Sequence, residues 1–132
     1  MSEVQPIDWQ QLRDAAIKAR ANAYAPYSSY PVGAAGLTVT GEIVTGCNVE
    51  NASYGLTLCA ECSMVSDQHK NGGTKLVAVA IVDQLNQPLA PCGRCRQLLL
   101  ENGLPGLLIE TAAGLRTIEQ LLPDAFSTRD LE

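Results

Sequence analysis

A chain of 132 residues, 46% apolar and 17% charged, has enough apolar material for one compact core and reads as globular rather than disordered. Nine Lys and Arg against fourteen Asp and Glu leave a formal charge of −5. That balance disfavours a polynucleotide as the partner, because phosphate backbones are held by clustered basic side chains.

The expected organisation is a single domain over residues 1–132 acting on a small molecule. The start, Met1 to Pro6, carries neither the basic residues nor the apolar run of a leader. The longest clean apolar run, Leu76 to Val82, is far short of the roughly 20 residues that a membrane span needs. The expected compartment is therefore a reducing cytoplasm, where clustered cysteines point to metal or redox chemistry rather than to structural disulfides.

In chain order, Asp8 is placed to cap a first helix, with Gln11 three residues on to reach back as in a capping box. Trp9, Leu12, Ala16, Ala19 and Ala23 recur at helical spacing and give it one apolar face. The pattern stops before Pro26. Tyr24 to Pro31 is a loop with two prolines and three tyrosines; such aromatics either pack or, just before a strand, line a pocket for a flat ring.

Val32–Thr40 and Ile43–Val49 are β-rich runs joined at Thr40-Gly41-Glu42, which predicts a hairpin. Gly33, Ala34, Ala35 and Gly36 leave room for a helix close to that sheet. Asn48 and Glu50, two apart, share one side of an extended segment; the pair reads either as a polar turn or as two groups able to hydrogen-bond a diol. A second helix runs from near Cys59 to the stop signal Asn71-Gly72-Gly73. Leu76–Val82, apolar without alternation, is a strand buried on both faces.

After the loop Asp83–Pro91, a third helix runs from Cys92 to Glu101 and is closed by Asn102-Gly103, with Leu107–Glu110 the next strand. Strand, helix and strand with short links form a parallel βαβ unit. Leu115–Thr117 adds an edge strand, and Thr117 and Gln120 frame a last helical turn before Pro123. The sum is an α/β fold, a three-layer α/β/α sandwich around a mixed sheet of about five strands.

The chemistry sits in Cys59-Ala60-Glu61-Cys62 and Pro91-Cys92-Gly93-Arg94-Cys95, which hold four of the five cysteines. The C-x-x-C spacing lets two thiolates reach one metal from a single turn. Both clusters fall at predicted helix starts, where free N–H groups and the positive end of the macrodipole favour thiolate. Two readings follow. Four thiolates would close a structural zinc site; three, with water in the fourth position beside Glu61, would make a catalytic one. Spacing alone leaves both open.

The residues around the thiols carry a resemblance. Cys59-Ala60-Glu61, followed by Pro91-Cys92-Gly93-Arg94-Cys95-Arg96-Gln97, is similar to the paired motif of the zinc-dependent cytidine deaminases. Tyr24-Ala25-Pro26-Tyr27-Ser28, Val32-Gly33-Ala34-Ala35, Gly46-Cys47-Asn48-Val49-Glu50-Asn51 and Leu121-Leu122-Pro123-Asp124-Ala125-Phe126 resemble the small, homotetrameric members. The likeness spans roughly residues 8 to 131.

That resemblance implies one Zn2+ per chain on Cys59, Cys92 and Cys95, with Glu61 as the proton shuttle. It implies that Asn48 and Glu50 hold the ribose 3′-hydroxyl, that the Ala60 N–H meets the pyrimidine carbonyl, and that Tyr30 packs on the base. Phe126, Ala52 and Tyr54 would reach a neighbouring subunit's site in a homotetramer. The implied activity is hydrolytic deamination of cytidine and 2′-deoxycytidine in pyrimidine salvage. Cys62 departs from the pattern, since many small members carry arginine there. Three thiolates on Zn2+ leave a net negative charge, and Arg94, or else Arg96, is the candidate to offset it.

The rivals are a deaminase of a cytosine-containing nucleoside antibiotic and, from another class, a binding module with a closed four-cysteine zinc. His69 reads as a solvated residue at a helix end and Cys47 as a small strand residue in the core.

Overall fold

A computed structural model describes residues 6–132; the stretch Met1–Gln5, on which the leaderless reading rests, lies outside the described residues. The elements run α1 (Trp9–Arg20), β1 (Gly33–Thr38), β2 (Ile43–Cys47), α2 (Ala60–Lys70), β3 (Leu76–Val82), α3 (Gly93–Asn102), β4 (Gly103–Thr111), β5 (Gly114–Thr117) and α4 (Ile118–Leu121). Short 3-10 turns cover Tyr54–Leu56 and Thr128–Leu131.

The sheet is built outward from β3, whose residues are all buried except Val77, which is partly so. Its order is β2-β1-β3-β4-β5. β1 pairs antiparallel with β2 and β3, β3 pairs parallel with β4, and β4 pairs antiparallel with β5. The mixed sheet and the parallel β3-α3-β4 crossover are those expected from the pattern.

Alternation along β3 sorts its side chains by size between the two faces. Ala78, Ala80 and Val82 pack with Leu12 and Ala16 of α1. Val79 and Ile81 pack with Met64 and Val65 of α2, Leu99 of α3 and Ile118 of α4. The small residues let the single helix α1 lie close, while the branched ones fill the thicker layer opposite. Leu76 joins the second group out of phase, and the register shifts between Leu76 and Ala78 against β4 account for it. Leu12 is 1% exposed, so its truncation to alanine costs about 2–5 kcal/mol.

The structure departs from the sequence pattern in several places, the two hairpin strands among them, which are trimmed to Gly33–Thr38 and Ile43–Cys47. α1 ends at Arg20, so Ala23 falls outside it. Beyond the helix, Tyr24 accepts from the Glu50 N–H at 2.8 Å and donates its own N–H to the Asn48 carbonyl at 3.0 Å, and strand-like pairing replaces the last turn ahead of Pro26. Only half of the first capping box forms: Asp8 Oδ1 accepts from the Gln11 N–H at 3.0 Å, whereas the box of Thr117 and Gln120 is complete. β4 begins directly at Gly103, and its extra residues loop out between the Leu76 and Ala78 pairings. Gly106 turns there at φ +81°, and Glu119 accepts its N–H at 3.1 and 3.2 Å. No described helix is long and apolar enough to cross a membrane.

Candidate metal centre

Two helix starts on the same face of the sheet bring the cysteines together. Cys59 is the N-cap of α2 and Cys92 the N-cap of α3, with Cys95 in the first turn of α3. The Sγ atoms of Cys59, Cys92 and Cys95 all lie within 4.8 Å of one another, with Cys59 and Cys92 4.0 Å apart. Tetrahedral zinc with Zn–S bonds near 2.3 Å places its sulfurs about 3.8 Å apart. The triangle fits such an ion with small adjustment.

The protonation chemistry of the three thiols also fits a cation. Burial raises the Cys59 pKa, and the negative charge of Cys92 and Glu61 adds to it. Burial, then Glu61 and Cys59, raise that of Cys95 strongly. At Cys92 burial also opposes ionisation, but the Cys95 N–H and the thiols of Cys95 and Cys59 outweigh it and the pKa falls. Of the three thiols, Cys92 is thus the one shifted toward thiolate. At Cys59 and Cys95 burial and the neighbouring negative charges oppose the thiolate that a helix start favours, so a bound cation would be what holds these sulfurs deprotonated.

Glu61, one residue into α2, is 4% exposed. Burial pushes its carboxyl up, against its own N–H and the Cys95 thiol. Ala60 is buried at the first position of α2, where helix geometry leaves N–H groups without intrahelical partners. Cys62 stands outside the metal-capable group found among the described residues. Its sulfur instead accepts from Arg94 Nη2 at 3.5 Å.

The position of α2 depends on Gly46, a residue to which the strand pattern assigns no role. A Cβ there would sit 2.3 Å from the Met64 nitrogen and 2.5 Å from the Ala60 carbonyl oxygen. β2 therefore supports the turn that carries Ala60 and Glu61 through direct backbone contact. Glycine inside a strand is the sequence signal for such an approach.

Asn48 and Glu50 both engage the Tyr24–Pro31 loop. Asn48 Oδ1 accepts from the Val32 N–H, and its Nδ2 donates to the Tyr30 carbonyl, both at 2.9 Å. Glu50 accepts the N–H groups of Tyr27 and Ser28 at 2.9 and 3.1 Å and the Ser28 hydroxyl. Those bonds, the hydroxyl first, hold its carboxyl below the usual carboxylate range despite some desolvation.

Tyr27, Ser28, Glu50, Tyr54 and Thr57 line a pocket of about 310 Å³ that includes none of the cysteines. Tyr27 and Tyr54 meet edge to face at 6.1 Å. Tyr30 is 42% exposed, Tyr54 76% and Phe126 58%, and Ala52 is exposed as well. His69 is exposed and shares a 2.7 Å hydrogen bond with Asn102. Cys47, half-buried at the end of β2, has its pKa raised by burial.

Comparison with known proteins agrees with this geometry. A family model for the cytidine and deoxycytidylate deaminase zinc-binding region matches residues 7–111. A cytidine deaminase of Mycobacterium tuberculosis is 55% identical over 125 residues, covering 95% of this chain and 94% of that protein. One of Halalkalibacterium halodurans is 40% identical over 135 residues, covering 95% and 98%. The crystal structure of cytidine deaminase from Mycobacterium leprae superposes with a TM-score of 0.89 at 57% identity, covering 90% of this chain and 100% of that one. By a family match over residues 7–111 and this identity across nearly its whole length, the chain belongs to the cytidine and deoxycytidylate deaminases, zinc-binding enzymes with this mixed-sheet fold.

Proposed function

We propose that the chain hydrolyses cytidine and 2′-deoxycytidine to uridine and 2′-deoxyuridine, releasing ammonia. The observation that carries this is the pairing of a three-thiol triangle with a buried carboxyl, Glu61, two residues from one of its members. Cys59, Cys92 and Cys95 hold the metal. When bound there, zinc supplies Lewis acidity that brings the pKa of a water near neutrality.

Glu61 carries the protons. Its burial suits a carboxyl that must both take and return a proton near neutral pH. It takes one from the attacking water and delivers it to ring N3, which makes C4 electrophilic. The C4–O bond forms, the C4–N bond breaks, and Glu61 passes the second proton of water to the departing amine. The Ala60 N–H meets the pyrimidine carbonyl, and Tyr30 packs on the base. Asn48 and Glu50, just beyond β2, meet the ribose 3′-hydroxyl beside the loop that they already organise.

Arg94, donating to Cys62 beside the ligands, supplies positive charge against three thiolates. Cys62 is not a ligand in this account. Its separation from the metal-capable group disfavours the closed four-cysteine module.

Tyr54, Phe126 and Ala52 are exposed, which leaves each free to serve a neighbouring subunit's site in a homotetramer. The setting proposed for this reaction is the cytoplasm, where deamination of free nucleosides serves pyrimidine salvage.

Incubation with cytidine tests the activity, with ammonia release, the ultraviolet change of the base and zinc per chain measured together. Turnover that falls with zinc removal and returns on zinc addition supports the reading. No turnover by fully zinc-loaded protein overturns it.

A further inference from the structure

The N-terminal part of α3 presents three consecutive side chains in three directions, about 100° apart around the helix. Cys95 points inward, 0% exposed, to the thiol triangle. Arg96 turns away from it: its Nε donates to the Pro91 carbonyl and its Nη1 to the Leu121 carbonyl, both at 2.9 Å. Gln97 Nε2 donates to the Phe126 carbonyl at 2.7 Å.

Each acceptor needs an external donor. Pro91 is buried and precedes the N-cap Cys92, so its carbonyl lies outside the helical ladder. Leu121 ends the four-residue helix α4, whose last carbonyls have no intrahelical partner. Between α4 and the final 3-10 turn, Phe126 belongs to no regular element. Arg96 forms no ion pair among the described residues. The hydrogen bonds that its half-buried guanidinium makes among the described residues go to carbonyl oxygens, one on the metal-bearing loop and one on the C-terminal segment.

We propose that Arg96 and Gln97 are positioning residues that fasten Leu121–Phe126 to the metal-bearing turn, so that zinc occupancy and order of the C-terminal segment stabilise each other. This rests on the reading of Cys92 and Cys95 as ligands. Pro91 and Cys92 cannot settle around an ion without fixing the carbonyl that Arg96 grips. With Arg96 fixed, its second bond holds Leu121. Such coupling is reciprocal: the factor by which the latch tightens zinc equals the factor by which zinc orders the segment.

The test combines amide hydrogen exchange over residues 121–131, in zinc-loaded and zinc-stripped protein, with zinc affinity from competition against a chromophoric chelator. The wild type should show slower exchange in this segment when zinc is bound. Arg96→Met, which keeps the aliphatic stem, should weaken zinc roughly tenfold, the lower end expected for an outer-shell partner, and abolish the zinc-dependent part of the protection. Gln97→Ala, whose partly exposed side chain leaves the core untouched, should speed exchange at Phe126 and its neighbours about threefold to tenfold, the effect of one hydrogen bond.

Zinc stoichiometry in Cys92→Ser reports on the ligand reading separately. The proposal is overturned if zinc removal leaves exchange over 121–131 unchanged in the wild type, or if Arg96→Met keeps wild-type zinc affinity. Should Arg96→Met fail to fold, Gln97→Ala decides: unchanged exchange at Phe126 also overturns it.

Discussion

Arg94 Nη2 lies 3.5 Å from Cys62 Sγ, which joins the two cysteine clusters by a contact that includes no proposed metal ligand. α2 and α3 thus meet at their first turns twice, through the thiol triangle and through this pair beside it. The Cys62 contact is the main cause that raises the already high pKa of the Arg94 guanidinium, with the other cysteines adding to it. Cys62→Ala is expected to retain one zinc per chain, whereas Cys59→Ala, Cys92→Ala and Cys95→Ala lose it. Arg94→Ala is expected to weaken zinc about tenfold, as removal of an outer-shell partner does. Metal analysis and chelator competition check both.

Gly46→Ala is expected to disturb the site without touching a ligand. Its new methyl would meet the Ala60 carbonyl and the Met64 nitrogen, both backbone atoms, so α2 must move. Overpacking of this kind costs about 1–3 kcal/mol. A lowered melting temperature together with a fall in activity larger than the loss of folded protein would show that the α2 start has shifted.

The fold was largely legible in the sequence because its signals were local. β3 was marked by an unbroken apolar run, α2 by a double-glycine stop and α4 by a Thr117–Gln120 box. The end of α1 was not legible, because the pairing of Tyr24 with Asn48 and Glu50 joins segments far apart in the chain. The same limit hid three parts of the site's surroundings: the grip of Arg96 on Pro91 and Leu121, the support from Gly46, and the hold of Glu50 on Tyr27 and Ser28. Each depends on which backbone group lies opposite; the glycine inside β2 signals a close approach there but not which element makes it. The cysteine clusters were legible as a metal site; which sulfurs come together required the fold.

The Tyr24–Pro31 loop should respond to acid through Glu50. Its folded pKa lies below the unfolded value, so its bonds to Tyr27 and Ser28 contribute fully above the unfolded pKa. They are lost as pH falls through the depressed folded one. Amide exchange at Tyr27 and Ser28, corrected for intrinsic pH dependence, should therefore rise only below the ordinary glutamate range, about pH 4. Glu50→Gln should remove that transition. A transition that persists in Glu50→Gln assigns it to another group.

The proton shuttle is the central claim, and Glu61→Gln is its most direct test. The substitution keeps the shape of the side chain and, with Cys59, Cys92 and Cys95 intact, should leave one zinc per chain and the melting temperature nearly unchanged. Loss of a positioned acid–base group costs about 10²–10⁴ in rate, so cytidine turnover per bound zinc should fall by at least that lower figure. Turnover within a few fold of wild type in fully zinc-loaded Glu61→Gln protein would contradict the account.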